Sequence, residues 1–200
     1  MAAVVATVWA MNLYNFMDGA DGLAGGMALL GFGACALAAA RAGDASLASA
    51  CSALAGASAG FLVFNFPPAR AFLGDAGSIP LGFLAAIVAL RGNASGAWPL
   101  WFPALVYSPF IADATLTLLA RAFRGERVWR AHREHVYQRM IAGGLGRRRT
   151  ALCWYVLMIA AGACALLLLD AGGELRLAVL AAWAIAYPIG FIVARRVWRI

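Results

Sequence analysis

Residues 23–40 and 46–64 are almost wholly apolar, and each approaches the ~20 residues a helix needs to cross a bilayer. Only a short link, residues 41–44, separates them. Nothing in the chain constrains its fold more. In lipid the backbone must satisfy its own hydrogen bonds, so successive runs of this length pack side by side as helices. Residues 46–64 are rich in Ala, Ser and Gly, the composition that close helix contact in lipid favours. Residues 98–119 span again, with kinks expected at Pro103 and Pro109, and further spans follow at 151–169 and 175–194. Residues 79–90 form a shorter segment that must begin near Gly77 or Ser78 to cross, after a loop at 65–78 carrying Pro67–Pro68. Residues 1–11 are apolar but too short, and read as the end of a span. The fold expected is all-α: a polytopic transmembrane helix bundle of about six full spans plus a partial first one. It forms one integral-membrane domain over residues 1–200, without a soluble domain or an internal repeat. Composition agrees, since 64% hydrophobic and 12% charged residues do not describe a soluble globular chain.

All 16 basic residues are arginine, and the net charge is +7. In a membrane chain that balance reports first on topology and on contact with anionic head groups or phosphate. No basic module interleaved with aromatics is present, so nucleic acid is not an expected partner. The four cysteines, Cys35, Cys51, Cys153 and Cys164, lie in apolar runs without C-x-x-C spacing and read as membrane-buried thiols. No basic stretch precedes the first apolar run, so a cleaved signal peptide is not expected. Alternating the spans puts Arg41, Arg91 and Arg176 on one side. The other side receives Arg70, the nine arginines of the basic stretch 121–149, and Arg195, Arg196 and Arg199. The positive-inside rule makes this second side cytoplasmic. The same parity puts Asp18, Asp21, Asp75, His132 and His135 there, which argues for one shared site.

Three polar motifs interrupt the apolar pattern. Residues 12–26 read N-L-Y-N-F-M-D-G-A-D-G-L-A-G-G. Asn12 and Asn15 are three apart, as are Asp18 and Asp21, so each pair can share a face of a helical turn. Carboxylates at a membrane mark a polar site by default, although a polar turn between spans is the bland alternative. The Leu, Tyr, Phe and Met among these polar residues fit a calcium loop poorly. Residues 72–78 read F-L-G-D-A-G-S, with Asp75 just before the start of a span, as Asp18 and Asp21 stand before theirs. Helix N-termini bind phosphate, and carboxylates hold the Mg²⁺ that phosphate brings. A helix-capping role for Asp75 is the competing reading, and Ser78 is a second candidate cap. Residues 131–139 read A-H-R-E-H-V-Y-Q-R, a spacing that does not suit zinc. His132, Arg133 and His135 suit contact with phosphate oxygens or proton relay, against a plain solvated basic face. Asp113, inside the span at 98–119, is either functional or a buried partner for Arg121.

In order, N-x-x-N-F-x-D-G-x-D-G-L-A-x-G, F-N-x-P-x-x-x-x-F-L-G-D-x-G-S and H-R-E-H-x-Y-Q-R resemble the polyprenyl-phosphate N-acetylhexosamine-1-phosphate transferases, glycosyltransferase family 4. That family of integral-membrane enzymes starts peptidoglycan lipid, O-antigen and teichoic-acid synthesis. The histidine loop looks most like the O-antigen branch. The resemblance implies transfer of an N-acetylhexosamine 1-phosphate from a UDP-sugar to undecaprenyl phosphate, with UMP released, in bacterial cell-envelope polysaccharide synthesis. It further implies Mg²⁺, with Mn²⁺ as a substitute, and the cytoplasmic membrane with the active site facing the cytoplasm. UDP-N-acetylhexosamine, undecaprenyl phosphate and membrane lipid are the implied partners, and a homodimer is left open. Carried over by position, Asp75 is the principal metal ligand with Asn15 beside it, and Asp18 joins Asp75, His132 and His135 in the chemistry. Asn12, Asn15, Asn65 and Arg133 bind substrate, Asp21 hydrogen-bonds uracil and Phe72 stacks on it. One departure stands out: the family's earlier Asp–Asp motif, at the lipid-phosphate end of its site, has no counterpart before Asn12. The chain then reads as the C-terminal portion of a larger transferase, inactive alone. A remnant or non-catalytic membrane subunit that keeps the nucleotide pocket is the alternative.

Overall fold

The structure, a computed structural model, describes residues 1–130 and 132–198. Ala131, which opens the histidine motif, and Arg199, one of the arginines in the topology count, lie outside the described residues. The chain folds as helices throughout: α1 (Ala2–Met17), α2 (Leu23–Arg41), α3 (Ala45–Asn65), α4 (Gly74–Ala94), α5 (Trp101–Val106), α6 (Ser108–Phe123), α7 (Val136–Met140), α8 (Arg147–Leu168) and α9 (Gly173–Val197). A wide π-helical turn, Ile141–Leu145, follows α7. Among the described residues five helices, α2, α3, α4, α8 and α9, are long and apolar enough to cross a membrane, and α1 is a shorter apolar helix.

The centre of the bundle is α2. Leu23, Met27, Ala28, Phe32, Cys35 and Ala39 along it are buried, and α3, α8, α5 and α4 pack round it. Small residues allow that crowding. α4 lies against α1 so closely that a Cβ on Gly82 would run into the Ala10 carbonyl and lie 2.6 Å from the Met11 Cα. α9 is peripheral, with only Ala194 buried along its length.

Four boundaries differ from the sequence expectation, each for a local reason. α1 does not stop at residue 11 but runs to Met17, because Asn12 is accommodated on its exposed face and donates its Nδ2 to the Val8 carbonyl at 2.7 Å. α4 begins at Gly74, not near Ser78, so Asp75 lies in its first turn and Pro80 inside it. Ser78 is accordingly no cap: its Oγ lies 3.0 Å from the Gly74 carbonyl of the preceding turn. Residues 98–119 do not form one kinked span but two helices broken at Tyr107. Pro109 cannot donate to the Leu105 carbonyl, and Ser108 Oγ takes that place at 2.6 Å. The basic stretch is also shorter as a loop than residues 121–149, since α6 continues to Phe123 and α8 starts at Arg147.

The chain reversals sort the polar residues to the two ends of the bundle. At one end Arg91 pairs with Asp44 at 3.6 Å, Arg41 donates to the Leu166 carbonyl and Arg176 to that of Ala171. The other end gathers the end of α1, the starts of α2, α4 and α8, and the histidine loop.

Candidate active site

At that second end a cavity of about 560 Å³ opens between three segments. The last turn of α1 and the turn after it supply Asn15, Phe16, Asp18 and Gly19; α4 supplies Gly74 and Asp75. The loop after α6 closes it with Trp129, Arg130, His132 and His135, and α7 adds Tyr137 and Gln138. Asp18 follows α1 directly, and Asp75 lies exposed in the first turn of α4, where free N–H groups give partial positive charge. Burial, then the Asp75 carboxylate, push Asp18 up to about 7. A carboxylate that a neighbouring like charge keeps from ionising is a place where a cation is favoured. Ser78 Oγ, 3.0 Å from Asn15 Oδ1, ties the two acid-bearing helices together behind this pair.

The loop is held from behind. Arg121, buried at 5% exposure, donates to Glu126 at 2.8 Å and to the carbonyls of Arg130 and Arg127 at 3.2 and 3.3 Å. Glu134 takes Arg124 at 2.7 Å, Arg139 at 3.2 Å and Arg195 at 3.4 Å. Tyr137, fully buried, donates its hydroxyl to the Phe16 carbonyl at 2.9 Å and so fixes the loop to the end of α1. The His135 ring lies nearly parallel to Tyr137, with centroids 5.8 Å apart, and 4.8 Å from His132. Burial, the neighbouring His135 and Arg121 hold His132 down to about 4, so it stands in the cavity as a neutral imidazole at pH 7.

A second polar cluster adjoins the cavity across the turn at residues 18–22. Asp21 accepts Arg147 at 3.2 Å and the Ala69 N–H at 3.3 Å. Asn65 accepts the Gly22 N–H at 2.9 Å and donates to the Ala71 carbonyl at 2.8 Å, so its amide braces two backbone segments. Gly22 has φ +77, a left-handed conformation in which a side chain would be strained. Tyr155 adds a hydrogen bond to its carbonyl at 2.7 Å. Phe72 stands free beyond this cluster, 72% exposed.

Asn15, Asp18, Asp75, His132 and His135 therefore share one cavity, with Asp21 and Phe72 in the loops beside it and Asn65 at the end of α3. Asn12 does not line that cavity; it is exposed on α1 with its amide on Val8. Arg133 is exposed and faces a neighbouring basic hollow of about 650 Å³ with Arg124, Arg139 and Arg195. Asp113 is not paired with Arg121. Its Oδ1 accepts the Val136 N–H at 2.9 Å and the Thr117 hydroxyl at 3.1 Å, and lies 3.6 Å from His135 Nδ1. Arg121, Tyr137 and Arg147 are positioning groups that sequence reasoning did not single out. Of the three, Tyr137 lies inside the quoted H-x-Y-Q-R motif and was the one within reach. Among the described residues no three His, Cys, Asp or Glu side chains gather closely enough to hold a metal alone.

Helices of this length and an acid cleft at one end of the bundle define an integral membrane protein with a polar site. Comparison with known proteins points to a family: residues 1–93 match the one described as glycosyl transferase family 4. It is 29% identical over 162 residues to a probable undecaprenyl-phosphate N-acetylglucosaminyl 1-phosphate transferase of Bacillus subtilis (strain 168), covering 78% of this chain and 45% of that protein. It is 34% identical over 164 residues to a phospho-N-acetylmuramoyl-pentapeptide-transferase of Moorella thermoacetica, covering 80% of this chain and 49% of that one. A protein of the same description from Geobacillus thermodenitrificans is 48% identical over 79 residues, 40% of this chain and 24% of its own length. The chain thus spans less than half the length of these relatives.

Proposed function

We propose that this chain carries the nucleotide-sugar site of a polyprenyl-phosphate N-acetylhexosamine-1-phosphate transferase, facing the cytoplasm at the bacterial cytoplasmic membrane. One observation carries the reading: Asp18 and Asp75, at two helix ends, meet the histidine loop in a single cavity. A UDP-N-acetyl sugar brings a diphosphate, and the first turn of α4 offers its N–H groups to it. Mg²⁺ fits the donor set. This ion takes one or two carboxylates plus substrate phosphate oxygens and keeps several waters, so Asp18, Asp75 and the Asn15 amide suffice without a third acid. Its charge would neutralise the diphosphate as a lipid phosphate attacks and UMP leaves. His132 and His135 border the diphosphate from the loop; Arg130 in the cavity and Arg133 beside it supply positive charge. The uracil end falls to Asp21 and Phe72 beside the turn that Asn65 braces.

UMP release from a UDP-N-acetyl sugar with undecaprenyl phosphate, measured on the complete transferase that includes these residues, tests this reading. Asp75→Asn is expected to lower kcat more than roughly a hundredfold, because a neutral amide is a poor ligand for a hard dication. Asp21→Asn keeps an acceptor for uracil and is expected to raise KM by roughly tenfold or less at near-normal kcat, the mark of lost uniform binding. Equal losses in both variants would undo the division of roles. The alternative reading is a membrane subunit that binds the nucleotide sugar without turning it over. Mg²⁺-dependent binding with no UMP release would select it.

A further inference from the structure

We infer that Asp113 is a positioning residue for His135, holding its imidazole as the Nδ1–H tautomer so that Nε2 is the nitrogen free toward the cavity. His135 and Asp113 come from different segments, the loop before α7 and the middle of α6, and both are buried, at 2% and 4% exposure. Asp113 Oδ1 is fixed by two donors, the Val136 N–H at 2.9 Å and the Thr117 hydroxyl at 3.1 Å. Val136 follows His135 directly, so the same carboxylate that faces the ring also sets the backbone that carries it. Asp113 Oδ2 and His135 Nδ1 are both buried polar atoms without a hydrogen-bond partner. Such orphans are costly unless something pairs with them. Nδ1 lies 3.6 Å from Asp113 Oδ1, and a closure of roughly half an ångström brings it to hydrogen-bond distance. Hydrogen bonds of this kind are often loose before substrate binds.

The Gln138 N–H, in the first turn of α7, faces the same side chain as a competing donor, and pairing with it would favour the Nε2–H form instead. Phe16 and Tyr137 stack against the ring, with centroids 6.1 and 5.8 Å away, and His132 lies 4.8 Å off. A carboxylate accepts and cannot donate, so a neutral ring that pairs with it must carry its proton on Nδ1. Nε2 then presents a lone pair to the cleft. The use made of that lone pair rests on the transferase reading above, whereas the tautomer itself does not.

The tautomer is read by ¹⁵N NMR of the full chain, histidine-labelled in lipid nanodiscs above pH 7. The chain has two histidines, so His132→Gln leaves a single imidazole to assign. Wild type is expected to show His135 chiefly as Nδ1–H, and Asp113→Leu to return it to the Nε2–H form that free histidine prefers in water. An Nε2–H majority in wild type, or an unchanged spectrum in Asp113→Leu, would overturn the inference. Should the leucine variant not fold, Asp113→Asn serves: as a weaker, neutral acceptor it is expected to lower the Nδ1–H fraction, and a fraction equal to wild type overturns the inference equally. In UMP release, Asp113→Asn is expected to lower kcat roughly tenfold with the UDP-sugar KM nearly constant, and a matching rise in KM would mark simple loop damage and count against it. Absence of Mg²⁺-dependent UDP-sugar binding in wild type with the Nδ1–H form intact would sink the transferase reading and leave this one standing.

Discussion

Asp18 sits where α1 ends, half-buried, with the like charge of Asp75 facing it, and its carboxyl is raised from 3.8 to about 7. The sign follows. A carboxyl whose folded pKa is raised contributes stability that is complete below its unfolded value and is lost as pH rises through the folded value. Metal-free protein is therefore expected to lose stability between about pH 4 and pH 7, and Asp18→Asn to remove that loss. Melting curves in detergent check it: the variant should melt close to wild type at pH 4 and above it at pH 8. Added Mg²⁺ should reverse the order at pH 8 by stabilising only wild type. A constant difference between the two proteins across this range would contradict the account. At this scale the cavity-lining acids and histidines were legible, because a carboxylate or imidazole among apolar runs is expensive and stands out. Asn12 was misplaced, since spacing alone cannot tell the exposed face of α1 from the one that turns to α4. Asp113 was visible as a lone acid, but its partner could not be read, because His135 is brought to it by the loop.

Between elements, the join of α1 to α4 matters most, since these two helices carry Asp18 and Asp75. Gly82 lets them touch. Gly82→Val is expected to cost about 1–3 kcal/mol by overpacking, as its side chain would meet the backbone at Ala10 and Met11. Gly33 is the control, because nothing lies within 4 Å of a Cβ there, and Gly33→Ala should stabilise α2 by up to about 1 kcal/mol. Thermal melting in detergent, with Mg²⁺ binding measured alongside, separates the two. Comparable melting temperatures would show that the α1–α4 contact is dispensable. The long helices were legible from apolar run length, and their ends were less so. The break at Tyr107 depends on how Ser108 satisfies the carbonyl that Pro109 leaves, and proline alone announces a kink without saying whether the helix recovers. The start of α4 was placed too late because Gly74, at φ +57, opens a helix that the apolar pattern shows only later.

For the whole molecule, charge and geometry agree on which residues share an end. Asp44, Arg41, Arg91 and Arg176 lie at one, and the cavity and the basic loop at the other. On the positive-inside rule the cavity end is the one expected to face the cytoplasm. In a background with Cys35, Cys51, Cys153 and Cys164 replaced, a cysteine at position 93 should react with an impermeant maleimide from outside the cytoplasmic membrane, and one at position 132 only from the cytoplasm. Labelling of both from one side would refute the layout. Parity of the spans makes this arrangement legible in the sequence itself. What stayed hidden was how His132 and His135 are held against the acids, which depends on buried Arg121 and on the Tyr137–Phe16 hydrogen bond.

The central claim is that Asp18 and Asp75 form a divalent-cation site that holds a nucleotide-sugar diphosphate. Calorimetric titration of a UDP-N-acetyl sugar into the purified chain, with and without Mg²⁺, addresses it without requiring turnover. The account predicts binding that needs Mg²⁺, that weakens at least roughly tenfold in Asp75→Asn, and that is unaffected by Asp44→Asn at the far end of the bundle. Binding of equal strength without Mg²⁺, or binding unchanged in Asp75→Asn, would contradict it.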